Sequence, residues 1–571
     1  MEEIRECLKT EISKLFDVDL EPEVVVAPEE QNADYASNIA MRLAGMLKAK
    51  GESVAPREVA EKIAKEVEAS DLGFSAEVAG PGFLNFIARD DYWKTKLAEI
   101  VADFDKNISC DEYSGKTVIC EFSDPNPFKV LHVGHLYTSI VGDSISRLVE
   151  FAGGKVVRAN FGGDVGLHVG KTLYALQNLN CSSADTLKAA RPSLWSAEDN
   201  SNSALTPELL AKAYVEGTRA YEDDEAAKAE IVKLNKEIYH IAENDIHEGE
   251  LAKLYWQGRE VSYQYFEDFY KRVGVKFDKY YPESTVAKRG LSEVKAHVGE
   301  VYEESNGAIV FAGEKYGLHT RVFVNAEGLP TYEAKDVGLI FTKWDDYKFD
   351  KSIVITGNDI IDYMKVVLKS ISMYAPELVE RTKHITHGNV RLPGNEKMSS
   401  RKGNFIKAVD VLDTVNDLVN DEKIAMAAIK YAFLKYKIGG NIEFDAKESV
   451  STTGNSGVYL QYSAVRAKKI LAGIKADEAD YSAWDLNVNE KKLIAKITQY
   501  GQVLKDALLD FAPHKVANYL YELAQEFSRF YENVKVAGSD REAERAEIVS
   551  AYLNTMTHGL NILGIEVPEE M

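Results

Sequence analysis

A chain of 571 residues, 45% apolar and 28% charged, has the composition of a globular protein and length for about three or four domains. Its formal charge of −23 excludes a surface coated for nucleic acid, while leaving room for a local basic track. No run approaches the ~18 apolar residues of a membrane span, and the opening MEEIRECLKTEISKLF has no apolar signal region. Cys7, Cys110, Cys120 and Cys181 lack metal-ligand or disulfide spacing. A cytoplasmic protein with no membrane partner and no protein-bound metal is expected.

Residues 1–110 read as a small α+β unit. Helical patterns at 36–50 and 56–69 precede a strand-like run at 75–79 and the segment 80–87. A strand at 116–121, a helix from His132 to about residue 151 and a strand at 155–161 then form one βαβ unit, which implies a parallel sheet covered by helices. Residues 171–280 are mostly helical and acidic, with a break at 196–206 and a helix start at Thr206 and Pro207. They look like an insertion, after which the sheet is expected to resume at 321–325, 352–356 and 384–392. From residue 408 the pattern is helical, at 410–420, 421–436, 457–474, 489–509, 515–532 and 543–563, and predicts a helix bundle. The expected fold is multidomain α/β: an α+β unit over 1–110, a Rossmann-like parallel-sheet domain over 111–409 with a helical insertion, and an all-α bundle over 410–571.

The most informative stretch is Glu121 to His135. A buried strand ends at Glu121, and a Pro-Asn-Pro turn through Ser123, Asn126 and Lys129 feeds His132, Val133, Gly134 and His135 at a predicted helix start. Helix N-termini present unpaired N–H groups and partial positive charge to phosphates. Two imidazoles there add donors that can follow charge from an α-phosphorus onto leaving pyrophosphate. A second segment, Lys397, Met398, Ser399, Ser400, Arg401, Lys402 and Gly403, is a basic loop of the kind that closes over phosphates. Alone it would read as an exposed basic loop. Arg391 and Lys407 extend this basic track, and Arg466, Lys468 and Lys469 form another.

The two segments together resemble the His-x-Gly-His and Lys-Met-Ser signatures of class I aminoacyl-tRNA synthetases. Ser123 to Lys129, Met398 to Gly403, Gly454 to Tyr462 and Leu563 to Met571 are similar to the arginyl-tRNA synthetase family, as are Asp34 to Asn38 and Gly80 to Phe86. The resemblance spans nearly the whole chain, the acidic insertion least. It implies ATP, with Mg²⁺, L-arginine and tRNA(Arg) as substrates, action as a monomer, and a two-step ligation through arginyl-adenylate. By the same resemblance, Lys129, His132, His135, Lys397, Arg401 and Lys402 are catalytic, and His132, Gly134, His135, Met398 and Ser399 bind ATP. Glu121, Ser123, Asn126, His135, Tyr332, Asp336 and Asn358 bind arginine. Tyr332 and Asp336 share one helix face at i and i+4, and a guanidinium needs planar two-point carboxylate recognition. Asn85, Tyr459, Tyr462 and Met571 fall in tRNA-binding regions. Ser400 replaces the second lysine of the class loop, and Lys129 is thought to supply the missing charge. Asp164 fits the family pattern better than His168, which reads as a structural histidine. The rival readings are another class I synthetase, for example the cysteinyl type, whose zinc-liganding thiols are missing here, a silent tRNA-binding paralogue, and a small-molecule nucleotidyltransferase.

Overall fold

The computed structural model describes residues 1–28, 33–70, 72–178, 205–391, 393, 406–474, 479–482 and 484–571. After a first helix, Glu2–Phe16, the N-terminal unit builds four antiparallel strands, β1 (Val25–Val26), β2 (Tyr35–Ser37), β3 (Phe74–Ala79) and β4 (Phe83–Ala88), in the order β1-β2-β4-β3. The helix expected from residue 36 begins at Ile39, because Tyr35–Ser37 pair with β4. Helix Pro56–Ala69 buries Val59, Ile63 and Val67 on one stripe, as its spacing predicts.

A five-stranded parallel sheet follows: β5 (Thr117–Glu121), β6 (Lys155–Gly162), β7 (Lys279–Pro282), β11 (Lys351–Gly357) and β12 (Thr382–His387). Its order is β12-β11-β5-β6-β7. The chain runs outward from β5 through β6 to β7, then returns to the other side of β5 with β11 and β12. The order therefore reverses between β5 and β11, and a crevice opens at their carboxyl ends. Ile119, Cys120, Ile353 and Ile355 are wholly buried, as expected of strands covered on both faces.

Residues 321–325 do not continue this sheet. β10 (Arg321–Val324) joins β8 (Glu303–Ser305) and β9 (Ala308–Phe311) in a separate antiparallel sheet. Strand β7, at the edge of the parallel sheet, takes a place the sequence reading gave to the end of the insertion. Of the insertion, helices Pro207–Asp223, Glu225–Glu243 and Glu250–Val273 are described. Thr206 caps the first of them, its Oγ1 accepting from Leu209 N–H at 3.2 Å, and Pro207 sits in the first turn. After β13 (Val390–Arg391), which pairs with β14 (Ile442–Glu443), the remainder is a helix bundle. The run predicted as one helix at 489–509 is two, Val488–Thr498 and Tyr500–Asp510. Among the described residues no helix is long and apolar enough to cross a membrane.

Candidate active site

The crevice is reached through a strained loop. Between β5 and the signature helix Val133–Phe151, Ser123, Asp124 and Phe128 all have positive φ, at 74°, 48° and 67°. Such backbone costs energy and persists where its surroundings hold it. Here Asp124 Oδ1 accepts from Phe161 N–H at 2.7 Å and Asn126 Oδ1 from Gly163 N–H at 3.0 Å, both from the β6 side. From helix Glu250–Val273, Ser262 Oγ accepts the Phe128 N–H at 2.9 Å. The last helix of the insertion thus fixes the approach to the signature.

The two signature imidazoles cap the helix themselves. His132 Nδ1 accepts from Gly134 N–H, and His135 Nδ1 accepts from His132 N–H, each at 3.1 Å. Their rings stack, with centroids 3.8 Å apart. Burial, reinforced by the Lys129 ammonium, lowers His132 to about 4, and burial with the charges of His132 and Lys129 drives His135 well below its ordinary range. Both rings are neutral at neutral pH. A neutral imidazole accepting at Nδ1 carries its proton on Nε2, so each ring keeps one fixed N–H donor. Gly134 serves this arrangement: a Cβ there would lie 2.8 Å from His132 Cε1, in the space the folded-back ring occupies.

His132 and His135 line a cavity of about 330 Å³ together with Asn126, Lys129 and Lys407. The opposite wall is helix Pro207–Asp223, which contributes Glu208, Lys212 and Tyr214. Lys407 comes from the residues after the basic loop, and backbone bonds hold them to the signature: Val133 N–H to Ile406 O at 2.9 Å and Ala408 N–H to Leu131 O at 3.0 Å. Lys397, Met398, Ser399, Ser400, Arg401 and Lys402 lie outside the described residues. Neutral N–H donors, ammonium groups and a helix N-terminus facing one cavity make a site for a polyanion.

Beside it lies a concentration of carboxyls. Glu121, 3% exposed, is ion-paired with buried Lys343 at 2.5 Å, and Lys343 also donates to Ser352 Oγ at 3.1 Å. Buried Glu283 pairs likewise with Lys335 at 2.5 Å. Lys335 and Lys343, near Asp336 in sequence, are thus ion-paired to Glu283 and Glu121. Asp336, half-buried, accepts a hydrogen bond from the Tyr363 hydroxyl. Burial pushes its carboxyl up to about 7 against that bond, and the charges of Glu121 and Glu283 add to the rise. Burial and then Glu121 also raise Asp124 well above the carboxylate range. Glu121, Asp124 and Asp336 thus share Lys343 as their nearby cation, an excess of acid that a planar guanidinium would relieve.

Other expected residues are placed less directly. Ser123 is buried, its Oγ 2.9 Å from the Tyr270 hydroxyl. Tyr332 is exposed at the start of helix Tyr332–Tyr347, with the Lys335 ammonium 5.0 Å from its ring. Asn358 is exposed in a turn after β11. Asp164 is a buried cross-link, accepting from Arg259 Nε at 3.0 Å, Ser284 N–H at 2.9 Å and Ser284 Oγ at 2.7 Å. His168 Nε2 lies 2.7 Å from the Gly163 carbonyl, a structural bond. Asn85 is on β4 and 7% exposed, so it presents little surface. In the bundle, Tyr459 bonds Ser528 Oγ at 3.0 Å, and Met571 packs partly buried on the core. Tyr462 is exposed; the Arg466 guanidinium lies 4.8 Å from its ring and 4.7 Å from that of Tyr531. Tyr363, Tyr214 and Tyr531 are parts of these clusters that sequence reasoning missed.

A parallel sheet whose first strand feeds a His-x-Gly-His helix start at the switch point is the catalytic architecture of a class I aminoacyl-tRNA synthetase. Comparisons with known proteins narrow the class. Three family profiles match in chain order: the arginyl tRNA synthetase N terminal domain over residues 2–88, the tRNA synthetases class I (R) catalytic domain over 96–430, and the DALR anticodon binding domain over 460–571. An arginine–tRNA ligase of Clostridium perfringens is 29% identical over 585 residues, covering 97% of this chain and 98% of that one. One from Bacteroides fragilis is 26% identical over 551 residues, covering 90% and 91%. The arginyl-tRNA synthetase structures of Plasmodium falciparum and Thermus thermophilus share the fold, with TM-scores of 0.76 and 0.75 at 20% and 22% identity. Both alignments cover 100% of this chain, and 99% and 100% of those. The chain belongs to the arginyl-tRNA synthetase family, and its reaction is the ligation of arginine to tRNA.

Proposed function

We propose that the polyanion cavity seats the phosphates of ATP, which enters as its Mg²⁺ complex, and that the carboxyl cluster seats the arginine guanidinium. The carboxylate of arginine attacks the α-phosphorus in line, forming a P–O bond as the bond to the β-phosphate oxygen breaks and pyrophosphate leaves. The Nε2–H groups of His132 and His135 donate to the oxygens that gain charge, and Lys129 and Lys407 neutralise the leaving group. Lys397, Arg401 and Lys402 join this clamp in the reading, with Met398, Ser399 and Gly134 toward the nucleoside. The terminal adenosine of the tRNA then attacks the adenylate carbonyl and displaces AMP.

For arginine, Asp336 takes the guanidinium, with Tyr332 and Asn358 at the rim, and Asn126 and His135 take the amino-acid end. Glu121 and Ser123 act from behind, through Lys343 and Tyr270. Residues 1–110, including Asn85, and residues 410–571, including Tyr459, Tyr462 and Met571, form the tRNA-binding flanks of a monomer working in the cytoplasm, where its tRNA is. The tautomer-fixed imidazole pair facing the cavity carries this reading. His135→Ala should depress arginine-dependent pyrophosphate exchange, measured with tRNA present, by about a hundredfold or more while arginine binding changes little. Unchanged turnover would refute the assignment.

A further inference from the structure

A second helix of the acidic insertion forms a wall of the cavity. We propose that Tyr214, on helix Pro207–Asp223, is a positioning residue that holds the Lys129 ammonium at the phosphate end of the cavity. The inference rests on the reading of Lys129 as a phosphate clamp.

Three observations carry it. Lys129 Nζ lies 4.5 Å from the centroid of the Tyr214 ring, within the range of a cation–π contact. Tyr214 and Lys129 line the same cavity as His132 and His135. The helix is also seated closely enough to fix that ring. At Gly217, one turn on from Tyr214, a Cβ would fall 1.9 Å from the Lys171 carbonyl oxygen of helix Leu167–Asn178, so only glycine permits the approach. Two turns on, Tyr221 repeats the device, with Lys171 Nζ 4.4 Å from its ring. Residues 214, 217 and 221 share one helix face, which meets helix Leu167–Asn178 at Gly217 and Tyr221.

The chemistry explains why a ring suits this position. A lysine side chain has four rotatable bonds and loses much freedom when its ammonium is localised. A carboxylate would localise it but also cancel the charge needed for phosphate. An aromatic face attracts the cation through its quadrupole without cancelling its positive charge. The ammonium is close enough to the imidazoles for its charge to lower both of them.

The test is arginine-dependent pyrophosphate exchange, with tRNA present, in Tyr214→Phe, Tyr214→Leu, Lys129→Met and the Lys129→Met/Tyr214→Leu double variant. Phenylalanine keeps the ring face and should behave as wild type. Leucine keeps apolar bulk without the quadrupole and should raise KM for ATP about fivefold, leaving KM for arginine unchanged. In the Lys129→Met background the leucine change should add nothing. A defective Lys129→Met with a fully additive Tyr214→Leu would overturn this inference alone, as would a Tyr214→Phe as impaired as Tyr214→Leu. A silent Lys129→Met would overturn the clamp reading and this inference with it.

Discussion

Arginine binding should expel protons from the enzyme. The Asp336 carboxyl is pushed up to about 7, and a guanidinium requires its ionised form. Binding then releases about 0.9 proton at pH 6, about 0.5 at pH 7 and about 0.1 at pH 8. Over the same span the apparent Kd for arginine falls about tenfold. Calorimetric titration of arginine in buffers of different ionisation enthalpy counts these protons directly. Asp336→Asn should bind arginine weakly and lose most of the pH dependence; Asp124 remains in that variant, so the comparison isolates Asp336. In the ligand-free enzyme the sign for stability is the reverse of the usual carboxylate case. The folded-state value lies above the unfolded value of about 3.9, so the group's contribution is whole below about pH 4 and is lost as pH rises through about 7. Arginine should therefore raise Tm more at pH 8 than at pH 6. A proton count of zero at pH 6, or a Kd flat between pH 6 and 8, would refute the placement of the guanidinium on Asp336.

Tyr363→Phe removes a hydrogen bond that favours ionised Asp336, so the pH dependence of arginine affinity should move to higher pH; a shift to lower pH contradicts the arrangement. Lys343→Met strands Glu121 as a buried charge and should cost about 3–5 kcal/mol in urea denaturation, most of it recovered in the Glu121→Gln/Lys343→Met double variant. Equal losses in single and double variants would show that the pair does not act as one. Tyr462→Ala removes one of the two rings around Arg466 and should raise KM for tRNA about tenfold with KM for ATP unchanged; a normal tRNA KM would remove that face from the tRNA interface.

Much of this was legible in the sequence where the signal is local. The β5–helix–β6 unit, the Thr206–Pro207 helix start and the imidazoles at the helix N-terminus all follow from periodicity and capping chemistry within a few residues. What failed depends on partners far along the chain. A short alternating run at 321–324 reads as a strand, but alternation does not say which sheet it joins, and β10 joined β9. The break between Thr498 and Tyr500 leaves the apolar period intact on both sides, so one long helix was predicted. The ion pair of Glu121 with Lys343 was likewise hidden, because the two residues are 222 positions apart. Tyr363 and Tyr214 lie in segments with no motif, and only the fold brings their hydroxyl and ring to Asp336 and Lys129.

The signature helix is also held from its far end, by the end of the chain. Ser144 Oγ donates to the Ile562 carbonyl at 2.9 Å, and Arg147 to the Asn561 carbonyl at 3.3 Å. Buried Lys430 donates to the Gly564 carbonyl at 2.6 Å. Asp143 ties Arg147, at 2.7 Å, to Arg158 of β6, at 3.3 Å. One apolar core runs from Ile4 through Leu136 and Val141 of the signature helix to Leu560 of the bundle. Close-packed interiors transmit displacement rather than absorb it, so the imidazole pair and the Tyr462–Arg466–Tyr531 face belong to one frame. A partner that touches both faces must match their spacing, and it forgoes the cost of ordering two independent sites. In the proposed reading that partner is the tRNA, and the helix that presents His132 and His135 to ATP is the one the bundle grips.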